Sequence, residues 1–139
     1  MFVGQYNYAV DLKGRLFIPS KFRVKNHFIV TIGMDKCLYV YPKNTWEKLE
    51  SKLEVLEFRD KSEERAFKRV FLSGASEAVP DHQGRILLPL ELRNYAAIKK
   101  EVTIVGASYK IEIWATDVWR SYYRSAEKIF SKHAGELEI

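Results

Sequence analysis

The sequence predicts a mainly β protein with attached helices, built from two tandem, pseudo-symmetric modules. One observation is a repeat, because DLKGRLFIPSKFR at 11–23 returns as DHQGRILLPLELR at 81–93 with Asp, Gly, Arg, Pro and Arg at identical spacing. Another is that residues 28–46 align with 102–119, so a unit of roughly 45 residues is duplicated. A unit of that size buries its apolar surface poorly on its own. Two copies that cover each other form, most simply, one β-barrel with a pseudo-two-fold axis.

Each module is expected to begin with a hairpin. In both copies Asp-x-x-Gly suits a tight turn, with Asp at the first position and Gly at the fourth, and apolar runs flank the turn. Pro19 and Pro89 should end the second strand, because proline cannot donate a hydrogen bond to an interior ladder. Short helical turns then cover 20–26 and 90–98. Further strand pairs are predicted at 28–33 with 37–41 and at 102–106 with 110–114.

Helices follow each module. Apolar residues recur at helical spacing over 46–56, and Asn44 with Glu47 resembles a capping box at the start of that helix. A second helix is predicted over about 61–73, and a third is predicted to have Thr116 as its cap. The resulting segments are a first module at 5–47, a helical connector at 48–75, a second module at 76–119, and a C-terminal helix and tail at 120–139.

Composition narrows the classes of function. The chain has 139 residues, of which 47% are hydrophobic and 14% aromatic, enough for a folded core rather than a disordered segment. Its formal net charge of +5 weakly favours a polyanionic partner. The single cysteine, Cys37, excludes an internal disulfide and fits a reducing cytoplasm. Neither a signal-peptide pattern nor an apolar run of ~18 residues is found, so no membrane association is expected.

An enzyme is not expected. His27, His82 and His133 are scattered without metal-ligand spacing, and Cys37 lies in an apolar strand, where we expect it to be packed. No phosphate-cradling glycine loop, nucleophile elbow or CxxC pair occurs in the sequence. We therefore predict no cofactor, no metal and no small-molecule substrate.

The motifs as a set resemble the MraZ family, bacterial transcriptional regulators built from two AbrB-like modules. The resemblance spans Met1 to about Tyr123 and rests on MFVGQYNYAVDLKGRLFIPSKFR, on DHQGRILLPLELR and on the later EIW and VW. It implies a swapped-hairpin AbrB-like β-barrel with attached helices, in subunits that close into homo-oligomeric rings. It also implies binding of double-stranded DNA at short direct repeats upstream of the division and cell-wall gene cluster, and hence a cytoplasmic, nucleoid-associated protein.

The family's D-x-x-x-R motif, its DNA-contact element, falls on Asp11 with Arg15 and on Asp81 with Arg85. An arginine offers a planar fork of donors that suits phosphates or guanine edges. The alternative is an Arg–Asp pair that only stiffens the hairpin, and both interpretations can hold together. For the two aspartates a turn role is sufficient. A carboxylate close to DNA phosphates would serve best by orienting its arginine.

The first copy is more basic than the second. Residues 11–25 hold five basic side chains against one acidic one, whereas the basic and acidic side chains of 81–93 cancel. We expect the first copy to make more of the phosphate contacts, through Lys13, Lys21, Arg23 and Lys25. For Arg23 and its counterpart Arg93, the alternative is that they pin the short helix to the barrel. His82 and Gln83 in the second turn offer hydrogen bonds to bases.

A protein of another class competes with the regulator. The mixed-charge run at 47–69 suits a solvated or subunit-contacting helix pair. The chain would then be a ring-forming interaction module with only non-specific nucleic-acid contact. Steep salt dependence with sequence preference would separate the regulator from that module. RNA binding is less favoured, because no RNP-like aromatic motif occurs.

Overall fold

Eight strands and four α-helices make up the described part of the chain, residues 1–23 and 27–138 of a computed structural model. Short 3₁₀ turns occupy Ser20–Phe22, Met34–Lys36 and Ala134–Leu137. The strands are β1 (Gln5–Ala9), β2 (Arg15–Phe17), β3 (Phe28–Ile32), β4 (Leu38–Pro42), β5 (Ser76–Ala78), β6 (Arg85–Leu87), β7 (Glu101–Ala107) and β8 (Lys110–Ala115). The helices are α1 (Lys43–Val55), α2 (Lys61–Ser73), α3 (Leu90–Tyr95) and α4 (Thr116–His133).

Strands of the two sequence copies interleave in one antiparallel sheet of order β1-β7-β8-β4-β3-β5, while β2 and β6 pair as a separate ribbon. The sheet order stays the same when the two copies are exchanged, as the predicted pseudo-symmetry requires. The predicted closed barrel is wrong for the described residues. The turn before each ribbon strand and the proline after it leave only three paired residues, so β2 and β6 bond to each other and do not extend the sheet.

The predicted local hairpins form only as turns. The Asp11 N–H donates to the Arg15 carbonyl and the Gly14 N–H donates to the Asp11 carbonyl, at 2.9 and 3.0 Å. Beyond that turn β1 pairs with β7 of the other copy and β2 pairs with β6. The predicted later strand pairs are confirmed, since β3 pairs with β4 and β7 with β8.

The three long helices differ in how they begin. Helix α2 spans 61–73 as predicted, and it follows Asp60, whose carboxylate accepts the N–H groups of Ser62 and Glu63, a cap that was not predicted. The predicted cap at Asn44 is wrong, because α1 begins at Lys43, directly after Pro42, and no side chain caps it. The predicted cap at Thr116 is also wrong. That residue is the first of α4, and its hydroxyl lies 3.1 Å from the hydroxyl of Thr103.

One hydrophobic core is shared by the two copies. Leu16 and Ile86 from the inner side of the ribbon are fully buried with Phe28, Ile104 and other sheet residues. A second cluster lies between the sheet and the first helices, where Ile29, Tyr41 and Trp46 meet Phe71. Cys37 is packed as expected, and burial raises the pKa of its thiol to about 12. Across the described ranges, no helix combines the length and the apolar character needed to cross a membrane.

Candidate nucleic-acid interface

The β2–β6 ribbon turns one apolar side inward and one mixed side outward. In its register Arg15 lies opposite Leu87, Leu16 opposite Ile86, and Phe17 opposite Arg85. Side chains alternate along a strand, and the middle pair is fully buried. The outer side therefore carries Arg15, Phe17, Arg85 and Leu87. We call this outer side, together with the turns at 11–14 and 81–84, the ribbon face.

Each aspartate of the repeat holds its turn and its arginine at once. One carboxylate oxygen of Asp11 accepts the N–H groups of Lys13 and Arg15, both at 2.9 Å, and the other accepts Arg15 Nε at 2.7 Å. Asp81 repeats the pattern with Gln83 and Arg85, at 2.9 to 3.0 Å. The predicted turn role and the predicted Arg–Asp pairs are thus both observed.

These contacts also keep the carboxylates ionised. The N–H of Arg15 holds the pKa of Asp11 below its usual range, and the guanidinium adds to the effect. The N–H of Arg85 lowers the pKa of Asp81 in the same way. Because each Nε is engaged by a carboxylate, the Nη groups are the donors available to a further partner. A DNA-contacting role for Asp11, Asp81, Arg15 and Arg85 remains a prediction.

Arg23 and Arg93 brace the turns across the two copies. Arg23 Nε donates to the Ile18 carbonyl and Arg93 Nε to the Leu88 carbonyl, both at 2.9 Å. The guanidinium of Arg93 lies against Gly14 and that of Arg23 against Gly84, so a Cβ on either glycine would have to displace the arginine. The alternative for Arg23 and Arg93 was that they pin the short helix to the barrel. The contacts are structural, but they join different parts of the fold. They pin each ribbon strand to the opposite turn.

Both turns belong to one surface. The Ile18 N–H donates to the Gly84 carbonyl and the Leu88 N–H donates to the Gly14 carbonyl, at 3.0 and 2.8 Å. Arg85 reaches back across the ribbon, with its Nη1 3.8 Å from an Asp11 carboxylate oxygen. The ribbon face is thus a composite of the two copies rather than two separate tips.

The remaining predicted residues lie in different surroundings. Lys13 is exposed at the first turn. The Lys21 Nζ lies 4.6 Å from the centre of the Tyr6 ring, a cation–π contact on another part of the first copy. Lys25 lies outside the described residues, so its predicted contact stays a prediction.

Two lysines beside the first turn were missed by the sequence analysis. The Val10 N–H donates to the Lys100 carbonyl at 2.8 Å, so the backbone at Lys100 lies beside the residue that precedes Asp11. Both lysines are exposed. The signal for them was the three extra residues that the second copy carries between Arg93 and Gly106. They add positive charge from the second copy to the end of the ribbon face that the first copy builds.

A metal site requires several histidine, cysteine or carboxylate side chains that lie close together. Nowhere in residues 1–23 and 27–138 do three His, Cys, Asp or Glu side chains group closely enough to hold a metal ion. His27 lies 3.2 Å from a Glu77 carboxylate oxygen, and His133 lies 3.0 Å from one of Glu136. Each of these histidines thus lies beside a single carboxylate. The candidate site for a nucleic acid is the ribbon face.

The chain has extensive similarity to known proteins. Residues 1–70 and 71–137 each match a family model described as "MraZ protein, putative antitoxin-like". Three curated relatives are each named "Transcriptional regulator MraZ", and each alignment covers 99% of this chain. The protein of Natranaerobius thermophilus is 47% identical and covered to 96%, that of Pelotomaculum thermopropionicum 47% identical and covered to 95%, and that of Heliobacterium modesticaldum 45% identical and covered to 96%.

Proposed function

Because the chain belongs to the MraZ family, we propose that it is a sequence-specific DNA-binding transcriptional regulator that contacts double-stranded DNA through its ribbon face. The single observation that carries this proposal is the pair of oriented arginines, Arg15 and Arg85, on the outer side of a two-stranded β-ribbon. The names of the relatives support a regulator. They assign no residue to DNA.

A two-stranded β-ribbon is an element of a kind that can enter a DNA groove. The major groove of B-DNA is about 12 Å wide and admits a two-stranded β-ribbon. With Nε held by Asp11, the terminal nitrogens of Arg15 are free to form the bidentate contact with guanine O6 and N7. Arg85 is more enclosed, with 22% of its side chain exposed against 33% for Arg15. Arg15 is therefore the stronger candidate for base contact.

Phosphate contacts would come from lysines around the ribbon face. Lys13, Lys99 and Lys100 are exposed at the end of the ribbon where Arg15 lies. Each phosphate that a lysine neutralises contributes roughly −0.9 to the slope of log K against log salt. Lys21 and Lys25 remain proposed phosphate contacts. Arg23 contributes by fixing the second turn.

An oligomer of this chain would present several ribbon faces to DNA at once. An apolar groove of about 400 Å³ lies between Ile32, Met34 and Tyr39 on one side and Phe67, Val70 and Phe71 of α2 on the other. The C-terminal half of α4 exposes a different apolar face, which includes Ile129 and Phe130. A contact between unlike surfaces of two subunits is heterologous, and subunits joined in this way can close into a ring. A ring bound to several direct repeats gains affinity through effective concentration.

The fold and the target complete the proposal. Each copy supplies its first strand to the other copy's part of the sheet, which supports the family's swapped-hairpin arrangement. The target proposed from the family resemblance is a set of short direct repeats upstream of the protein's own gene, at the head of the division and cell-wall gene cluster. Such a regulator would work in the cytoplasm, in association with the nucleoid.

Fluorescence anisotropy tests this function directly. The duplex from just upstream of the protein's own gene is compared with a base-shuffled duplex of equal composition, at about 150 mM salt to suppress non-specific attraction. A specific regulator should prefer the native duplex by roughly a thousandfold or more. Equal and weak binding to both duplexes would contradict the proposal.

The second candidate function is a ring-forming protein-interaction module. The exposed apolar faces on α2 and α4 favour it, since patches of this kind mark interaction surfaces. Its expected signature is an oligomer of the full chain whose weak binding to DNA does not depend on sequence.

A further inference from the structure

We propose that the residues at the apexes of the two turns, Leu12–Lys13 and His82–Gln83, give the ribbon face a fixed polarity on its DNA site. This inference rests on the proposed DNA-binding function and concerns its specificity. The two apexes would recognise different bases, so that one binding unit lies on its site in one orientation only.

The frame that holds the apexes is nearly symmetric. Gly14 and Gly84 both have φ of +83°. Arg23 and Arg93 make the same contact in each copy, at 2.9 Å to a carbonyl. The exchange of the two copies also leaves the strand order unchanged. This frame would bring Arg15 and Arg85 to equivalent positions after a half-turn about the pseudo-two-fold axis, with Arg85 the more enclosed of the two.

The apexes break this symmetry. The N–H groups of Lys13 and Gln83 donate to the preceding aspartates at the same 2.9 Å, so the two residues occupy equivalent places. Their side chains are exposed, as is that of His82, and the side chain of Leu12 is completely exposed. One apex thus offers an apolar group and a cation, and the other offers an imidazole and a carboxamide.

These side chains suit different bases. An apolar group can contact the thymine methyl, whereas a carboxamide can bond to adenine N6 and N7. Ile18, whose N–H bonds to the Gly84 carbonyl, lies four positions after Gly14, so the two turns lie roughly 13 Å apart along the ribbon. That distance is about four base-pair steps of 3.4 Å. The apexes would therefore meet separate halves of one short site.

A unit with one fixed orientation would favour the direct repeats that are proposed as the target. In a palindrome the second half runs backwards and presents the wrong bases to one apex. Repeats that all run the same way offer each apex its own base in every copy of the site. Within the proposed ring, every subunit would then meet DNA with the same polarity.

Symmetrised chains and symmetrised DNA test the inference. Once the wild-type repeat is located, three duplexes are needed: the single native site, a palindrome of its left half and a palindrome of its right half. His82→Leu/Gln83→Lys gives both turns the first apex, and Leu12→His/Lys13→Gln gives both the second. We expect the two chains to prefer opposite palindromes, each by roughly 5- to 150-fold, the usual effect of one or more altered base contacts. Wild type should prefer the native site.

A chain with both apexes exchanged is the matched control, because it keeps composition, net charge and frame. It should keep the preference for native over shuffled DNA and bind the native site in the reversed orientation. The affinity itself is not the readout, because the apex lysine then lies at the ribbon end opposite Lys99 and Lys100. An iron chelate on a Ser20→Cys side chain should then cleave the opposite flank. Because the readout is a ratio between duplexes, a gain or loss of one charge in the symmetrised chains does not alter it.

The outcomes separate this inference from the function beneath it. If the symmetrised chains rank the three duplexes as wild type does, the apexes do not set polarity and the inference is overturned, while specific binding stands. If wild type does not distinguish native from shuffled DNA, the proposed function and the inference both fail. Unchanged thermal midpoints of the variants, expected for exposed turn residues, exclude misfolding as the cause.

Discussion

Asp11 and Asp81 each fix a backbone turn and an arginine with a single carboxylate. The backbone contacts set the turn, and the contact with Nε sets the direction of the guanidinium. An arginine held in this way loses little conformational freedom when it binds, which favours affinity and discrimination. The Arg–Asp pair is observed, and the proposed DNA contact would use the same geometry.

Arg15 should contribute specificity as well as charge. We expect Arg15→Ala to weaken binding to the native duplex by about 1–3 kcal/mol, the usual worth of a bidentate arginine–guanine pair. Arg15→Lys keeps the charge but lacks the planar fork, so it should retain weak binding to shuffled DNA and lose the preference for native DNA. Anisotropy with both duplexes measures this. Lys52→Ala, at an exposed position of α1, is the control. An equal loss of DNA affinity in that variant would show that Arg15 contributes only its charge.

The turn carboxylates should make stability depend on pH in one direction. Their pKa values are lowered by the N–H groups of Arg15 and Arg85. A carboxylate of this kind stabilises the fold above its unfolded pKa of about 3.9, and the contribution is lost as pH falls through the lower folded value. The difference in unfolding free energy between wild type and Asp11→Asn should stay constant above about pH 5 and shrink below about pH 4. Urea unfolding across pH measures it. A difference that grew toward pH 3 would contradict this assignment.

Lys99 and Lys100 should act through phosphates and not through bases. Lys99→Ala/Lys100→Ala is expected to flatten the slope of log K against log salt by about 1.8, since each phosphate contact adds roughly 0.9. The preference for native over shuffled DNA should persist. Lys48→Ala/Lys52→Ala removes the same charge from exposed positions of α1. If the control flattened the slope of log K against log salt by the same amount, the effect would come from net charge alone.

At the scale of elements, the turn glycines should tolerate no side chain. Gly14 combines a φ of +83° with the Arg93 guanidinium at 2.9 Å from the place of a Cβ, and Gly84 has Arg23 at 2.6 Å. Gly14→Ala should therefore destabilise the fold by roughly 1–3 kcal/mol. Gly135→Ala is the matched control, because no atom lies within 4 Å of its Cβ position. Denaturant unfolding compares them, and a Gly14→Ala chain as stable as the control would contradict the bracing role of Arg93.

The sequence predicted those elements whose signals are local. Pro19 marks the end of β2, because its missing N–H acts on its immediate neighbours, and the apolar spacing over 61–73 marks α2, although the cap at Asp60 was not predicted. The ribbon was missed, since β2 finds β6 about 70 residues away and no local pattern encodes that partner. The motif named the candidate residues, whose DNA contacts stay a prediction, but their composite geometry, with Arg23 against Gly84, depends on the same distant pairing.

Over the whole molecule the two copies are equivalent in their strands but not in their helices. The sheet order and the ribbon respect the pseudo-two-fold axis. The first copy is followed by α1 and α2, whereas the second is followed by α4 alone. The apolar groove beside α2 and the apolar face of α4 are therefore different surfaces. If the groove of one subunit binds the α4 face of the next subunit, the contact is heterologous, and it propagates from subunit to subunit until a ring closes.

Complementation between single variants should reveal this interface. Val70→Glu places a charge in the groove beside α2, and Phe130→Glu places one on the α4 face, at two exposed positions. A charge buried in an apolar contact is strongly unfavourable, so each variant alone should be a monomer by light scattering after gel filtration. Each variant still keeps the surface that the other lacks, so an equal mixture should form heterodimers and no rings. Rings from either variant alone, or no association in the mixture, would show that these two surfaces do not join the subunits.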